Sequence, residues 1–119
     1  MLNQTVIVGR IVNEPTKEKI ENGGNRSFIT IAVPRSYKNT EGVYETDFVP
    51  VVLWNGIAET TAEYCHKGDL VGIKGHIQSS NYEEDGDKKS RIIIVAEKVT
   101  FLSSKSKDYD TDKSEDLEA

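Results

Sequence analysis

A group of aromatic and basic side chains is interleaved along this 119-residue sequence. The aromatic members are Tyr37, Phe48 and Trp54, and the basic members are Arg35, Lys38, Lys67 and Lys74. Flat rings can stack on nucleobases and cations can neutralise phosphates, so the combination is what binding of unpaired nucleic acid requires. The alternative for Phe48 and Trp54 is burial under a neighbouring loop or a partner subunit.

Five strands and one short helix are predicted to position these side chains. The strands are Leu2–Val12, Ser27–Val33, Thr46–Trp54, Leu70–Tyr82 and Ser90–Leu102. Pro15 interrupts the first run, and Thr16–Ile20 could resume it as a further short strand. The helix is expected to begin with Asn55 as its N-cap and to stop at Gly68, with Lys67 in its last turn. Three strands, a helix and two strands are the order of the OB-fold, an all-β, five-stranded Greek-key barrel. A sandwich with a stray helix is the competing fold.

Alternation along two of these strands separates an expected core face from an expected outer face. The expected core positions are Asp47, Val49, Val51 and Leu53 on the third strand and Val71, Ile73, Gly75 and Ile77 on the fourth. The expected outer positions are Phe48, Pro50, Val52 and Trp54 on the third strand and Lys74, His76, Gln78, Ser80 and Tyr82 on the fourth. Tyr37 is expected in a polar loop, 34–44, whose turn is 39–42.

Composition and charge bound the remaining possibilities. The formal net charge is −5, which argues against a uniformly basic nucleic-acid binder. Residues 1–102 are expected to form one domain, and residues 103–119, with six acidic and three basic side chains, a disordered acidic tail. A single cysteine, no apolar run long enough to span a membrane and no visible signal peptide favour a cytoplasmic protein without a membrane partner.

Other candidate sites are weak. Cys65 and His66 are adjacent but lack further metal-ligating residues at a suitable spacing, and the acidic run 83–87 is typical of a solvated hairpin tip. The basic cluster 88–91 is either a solvated strand start or one side of a groove that follows a nucleic-acid backbone. No glycine-rich phosphate loop or Ser/His/Asp arrangement is present, so we expect no enzymatic activity, no cofactor and no metal.

Several segments together resemble the single-stranded DNA-binding protein family of bacteria and phages. They are Met1–Asn3, Val8–Arg10, Phe28–Val33, Thr46–Trp54, Ala58–Tyr64 and Lys67–Gln78, ending at Tyr82. The resemblance covers about residues 1–102 and implies a homotetramer of OB-folds, with a dimer as the fallback, that coats single-stranded DNA in replication, recombination and repair. It implies stacking by Tyr37, Phe48, Trp54 and Tyr82, and phosphate contacts by Lys67 and, more loosely, by Arg10, Arg35, Lys38 and Lys74.

Departures from the family pattern concern charge and the C-terminal tip. Neutral residues at 78–81, Asn55-Gly56 and Pro50 replace basic residues that many relatives carry, which reduces the positive charge of the expected groove. The tip lacks the proline and phenylalanine with which bacterial relatives capture partner enzymes, so weak or no capture is expected. The short chain resembles a phage-encoded or minor member. An OB-fold subunit for replication restart or RNA binding, and a metal-dependent OB-fold nuclease using Asp47 and Asp69, remain alternatives.

Overall fold

Six strands and one helix make up the computed structural model, which describes residues 1–21 and 23–104. They are β1 (Thr5–Ile11), β2 (Glu18–Lys19), β3 (Asn25–Lys38), β4 (Tyr44–Trp54), α1 (Asn55–Tyr64), β5 (Leu70–Glu84) and β6 (Asp87–Ser103). The predicted order is confirmed, and the further short strand after Pro15 is the two-residue β2. The tail predicted from residue 103 lies, beyond Ser104, outside the described residues. None of the described helices is long and apolar enough to span a membrane.

The five long strands close into a barrel because β1 has two neighbours. Thr5–Arg10 pair with β5, whereas Arg10 and Ile11 pair with β3. The complete order is β1-β5-β6-β4-β3-β2, and every pairing is antiparallel except that of β4 with β6. Gly9 allows the close approach of β1 and β3, since a Cβ there would collide with the carbonyl oxygen of Ala32. This topology confirms the predicted OB-fold barrel.

The core lies inside this barrel, and strand alternation predicts most of it. Val51, Leu53, Val71 and Ile73 are at most 1% exposed. Two predicted core positions are wrong: the Asp47 side chain is 50% exposed, and Ile77 is 46% exposed. Alternation fixes the face on which a residue lies, but it cannot tell where the barrel ends along the strand. Val52, predicted on the outer face, is nevertheless buried.

The β3–β4 hairpin is longer than predicted. Residues expected in a loop before Tyr44 continue as strand to Lys38, with a register irregularity between Pro34 and Lys38. Tyr37 therefore lies on β3, and the prediction that it sits in a loop is wrong. The turn after Lys38 is as predicted, because the Asn39 side-chain oxygen accepts hydrogen bonds from the backbone of Glu41 and Val43.

Both predicted ends of the helix are wrong. Trp54 occupies the N-cap position without a side-chain capping bond, and Asn55 is the first helical residue, with a φ of 53°. The helix ends at Tyr64, where the extended Cys65 donates its N–H to Thr61. Gly68 and Lys67 consequently lie in the turn before β5, where the positive φ of Gly68, 95°, is required. Tertiary contacts at both ends outweigh the local capping signals.

Candidate nucleic-acid interface

Three of the predicted stacking residues share one face of the sheet. In the β4–β6 register Val52 pairs with Val95, and Val95 pairs in turn with His76 of β5. Directly paired residues point to the same side, so alternation from Val52 reaches Phe48 and Trp54, and alternation from His76 reaches Tyr82. We call Phe48, Trp54 and Tyr82 the aromatic surface.

The rings of the aromatic surface are open to solvent. Phe48 is 64% exposed, Tyr82 41% and Trp54 38%, so no loop of the described chain buries them. Tyr37 is as exposed as Phe48, but it lies inside the register irregularity of β3, where alternation does not fix its face. The exposed part of each ring can stack on a flat partner.

Arg26 and Phe28 belong beside the aromatic surface, and our sequence reasoning missed them as site residues. Arg26 pairs directly with Trp54 across β3 and β4, and Phe28 pairs with Val52. The Arg26 guanidinium lies 5.0 Å from the ring centre of Phe28 and 5.7 Å from that of Trp54, within cation–π range. The available signal was their alternation with the core residue Ile29, which puts both on the outer face of β3.

Basic side chains lie next to other rings of the hairpins. The Lys38 ammonium lies 5.6 Å from the ring centre of Tyr44, and the Arg91 guanidinium lies 5.7 Å from that of Tyr82. Arg91, one of the residues left open between a solvated strand start and a groove wall, is therefore beside the aromatic surface. Within the described part of the chain, neither Lys67 nor Lys74 forms a side-chain ion pair, although the Glu14 carboxylate accepts a hydrogen bond from the backbone N–H of Lys67.

Arg35 and Arg10 are held by the protein itself. Arg35 donates through Nε and Nη2 to Asp47 and through Nη1 to Glu45. The hydrogen bond from Arg35 lowers the pKa of Asp47, and Asp47 in turn raises the pKa of Arg35. Two carboxylates thus balance one guanidinium. Arg10 donates from Nη1 to the carbonyl of Gly68 at 2.9 Å.

His76 lies on the same outer face, between Lys74 and Tyr82. Its Nδ1 is 2.8 Å from Oε2 of Glu97, and its Nε2 is 3.3 Å from Oε1 of Gln78. Glu97 is the extra residue of β6 where Lys74 pairs with Lys98 and the next pair skips one position. The hydrogen bond with Glu97, followed by that with Gln78, raises the pKa of His76.

The remaining candidates from the sequence, Cys65, Asp69 and Asp47, are buried or hydrogen-bonded within the fold. Cys65 is buried, and burial raises the pKa of its thiol, followed by the effect of Asp69. Asp69 accepts a hydrogen bond from the backbone N–H of His66, whereas Asp47 is held by Arg35. In the described residues, no group of three His, Cys, Asp or Glu side chains is placed to hold a metal ion.

Known proteins similar to this chain agree in family and fold. The model of the "Single-strand binding protein family" matches residues 2–102. The single-stranded DNA-binding protein 1 of Clostridium acetobutylicum is 42% identical over 106 residues, covering 87% of this chain and 96% of the relative. The single-stranded DNA-binding protein B of Bacillus subtilis is 39% identical over 113 residues, covering 94% of this chain and 100% of the relative.

The solved structures include a similar barrel at lower sequence identity. A structure of Plasmodium falciparum SSB in complex with ssDNA matches with a TM-score of 0.79 and 20% identity, covering 87% of this chain and 96% of that one. This likeness supports the OB-fold. From the family match and the two bacterial relatives, we conclude that the chain belongs to the single-strand binding protein family.

Proposed function

We propose that this protein coats single-stranded DNA without reading its sequence, in replication, recombination and repair, and catalyses no reaction. Its relatives are named single-stranded DNA-binding proteins. The observation that carries the proposal is the aromatic surface: three exposed rings on one face of the sheet, with cations beside two of them. Stacking tolerates any base because every base has a π face.

Binding is proposed to combine stacking with neutralisation of phosphates. Tyr37, Phe48, Trp54 and Tyr82 stack on bases, and Arg10, Arg35, Lys38, Lys67 and Lys74 contact phosphates. Lys67 and Lys74 contribute most to the charge, since Arg35 is already balanced by two carboxylates. Because the protein binds only unpaired strands, it shifts the equilibrium of hairpins and duplex ends toward the melted form.

A homotetramer is the proposed assembly, with a dimer as the fallback. Val6 is 70% exposed, and Val8 and Leu102 are each 48% exposed. A Cβ on Gly72 would meet Val8 and Leu102 at 3.9 and 4.0 Å, so these two side chains flank one glycine. We call Val6, Val8 and Leu102 the aliphatic surface. Among the described pairings, β3 joins β1 only at Arg10 and Ile11, which leaves one edge of residues 5–8 open to another copy.

The proposed location follows from the cysteine of the chain. A buried, unpaired cysteine fits a reducing compartment, so we place the protein in the cytoplasm of a bacterium or of a phage-infected host.

Competition between nucleic acids tests this function against the alternatives. Fluorescent oligo-dT should be displaced by unlabelled oligo-dT at lower concentration than by oligo-rU, a duplex or a forked duplex. Preference for RNA or forks would favour an RNA-binding or replication-restart subunit. Incubation of labelled DNA with magnesium or calcium should leave it intact, and its cleavage would favour a nuclease.

A further inference from the structure

We propose that Arg26, held by Glu18 in the free protein, is a further phosphate-contacting residue that transfers from Glu18 to the DNA backbone beside Trp54. The inference rests on the proposed binding of single-stranded DNA and concerns residues of β2 and β3 that our sequence reasoning left out of the site.

Arg26 has neighbours on both sides in the sheet. It pairs with Glu18 in the β2–β3 register and with Trp54 in the β3–β4 register. Its Nη2 donates to Oε1 of Glu18 at 2.8 Å, while its guanidinium lies over the rings of Phe28 and Trp54. The charge is therefore next to a proposed stacking ring and is balanced by a single carboxylate.

The hydrogen bonding of Arg26 is incomplete in the free chain. Its Nε is buried and has no acceptor among the described residues. An unpaired buried donor costs free energy, so a movement of the guanidinium that brings Nε to an acceptor is favoured. The side chain is also 36% exposed, which leaves part of it open to a ligand. A phosphate oxygen would satisfy the guanidinium with the fork geometry that arginine offers.

The position of Arg26 suits a strand stacked on Trp54. A nucleotide whose base contacts the exposed part of the Trp54 ring brings its phosphate to the same part of the surface. Asn55 and Gly56, which follow Trp54 directly, supply no charge there. Arg26 therefore provides, from the adjacent strand, a cation at the end of β4. In the free protein Glu18 competes for it, and DNA must displace Glu18.

The test compares salt dependence of oligo-dT binding across matched variants. Arg26→Ala should weaken binding about tenfold at low salt. It should also reduce the slope of log affinity against log salt by about 0.7, the value for one phosphate contact on a single strand. Arg26→Lys should retain the slope. Glu18→Gln should tighten binding severalfold, because it removes the competing carboxylate. Lys19→Ala, which removes a cation at the neighbouring position of β2, should leave the slope unchanged.

The outcomes distinguish a failure of the inference about Arg26 from a failure of the proposed function. If Arg26→Ala binds oligo-dT as tightly as wild type, with the same slope of log affinity against log salt, Arg26 does not contact a phosphate. The proposed function would be unaffected by that result. Glu18→Gln binding no tighter than wild type would overturn the competition by Glu18, even if Arg26→Ala proved unstable. Absence of wild-type binding to oligo-dT would overturn the proposed function and this inference with it.

Discussion

The outer face of β5 leads from one exposed apolar region to another of different chemistry. At one end Gly72 and Lys74 lie beside the aliphatic surface, and at the other end Tyr82 belongs to the aromatic surface. Both regions expose large apolar side chains. Cations lie against the rings, whereas the aliphatic side chains adjoin an open strand edge. Exposure alone therefore does not assign a function: the neighbouring groups indicate DNA for one region and another copy of the chain for the other.

Introducing a charge into the aliphatic surface should have the largest effect. A buried valine contributes about 1.5–3 kcal/mol, and each copy in an assembly would also have to bury the new carboxylate. We expect Val8→Asp to lower the mass measured by light scattering to that of a dimer or monomer. Val43→Asp is the control, because Val43 is 55% exposed at the β3–β4 turn, away from that surface. An unchanged mass for Val8→Asp would show that the aliphatic surface does not form the contact between copies.

Removing a ring from the aromatic surface should have the next largest effect. Trp54→Ala should weaken binding of oligo-dT by about 1–3 kcal/mol, the range found for one stacked base. Tyr64→Ala is the matched control, since Tyr64 is 66% exposed but lies on α1. Equal losses for the two variants in a fluorescence anisotropy titration would mean that exposure, rather than position, explains the effect.

Charge variants should produce smaller, graded changes. Lys67→Ala should flatten the log–log salt dependence of oligo-dT affinity by about 0.7. Arg35→Ala should change it less, because Asp47 and Glu45 already balance that guanidinium. The slopes are measured by titration at several salt concentrations. A larger change for Arg35→Ala than for Lys67→Ala would contradict this assignment of charge.

The smallest expected effect concerns His76, which lies on β5 between the two regions. Because Glu97 raises its pKa in the folded chain, the pair stabilises the fold fully below about pH 6.5, the unfolded value. That contribution is lost as the pH rises through the folded pKa. We expect the urea midpoint to fall more between pH 6 and pH 8.5 in wild type than in His76→Gln. Glu97→Gln should resemble His76→Gln. If the urea midpoint of wild type is no more sensitive to pH than that of either variant, the His76–Glu97 pair does not stabilise the fold.

The sequence predicted those features that depend on local pattern. Alternation placed Phe48 and Trp54 opposite Val51 and Leu53, and the structure agrees. The strand order followed from turn residues and from one helical segment. The family resemblance selected Tyr37, Phe48 and Trp54 again and added Tyr82 as a stacking residue.

Other features depend on tertiary contacts and were not predictable in this way. Asn55 adopts a positive φ, and its side chain faces the backbone N–H of Asn25, 30 positions away, instead of capping the helix. Asp47 looked like part of a core face because nothing local reveals that the barrel ends before it, where Arg35 pairs with it at the surface. Alternation with Ile29 could have placed Arg26 on the outer face, but its neighbours Glu18 and Trp54 follow only from the registers that join β2, β3 and β4.

Fluorescence of Trp54, the single tryptophan of the chain, tests the central claim most directly. Its ring is 38% exposed on the aromatic surface, so a base stacked on it must change its emission. Saturating oligo-dT, with binding followed in parallel by anisotropy of a label on the DNA, should quench the emission strongly. Full binding of the labelled DNA with unchanged Trp54 emission would contradict the assignment of the aromatic surface to single-stranded DNA.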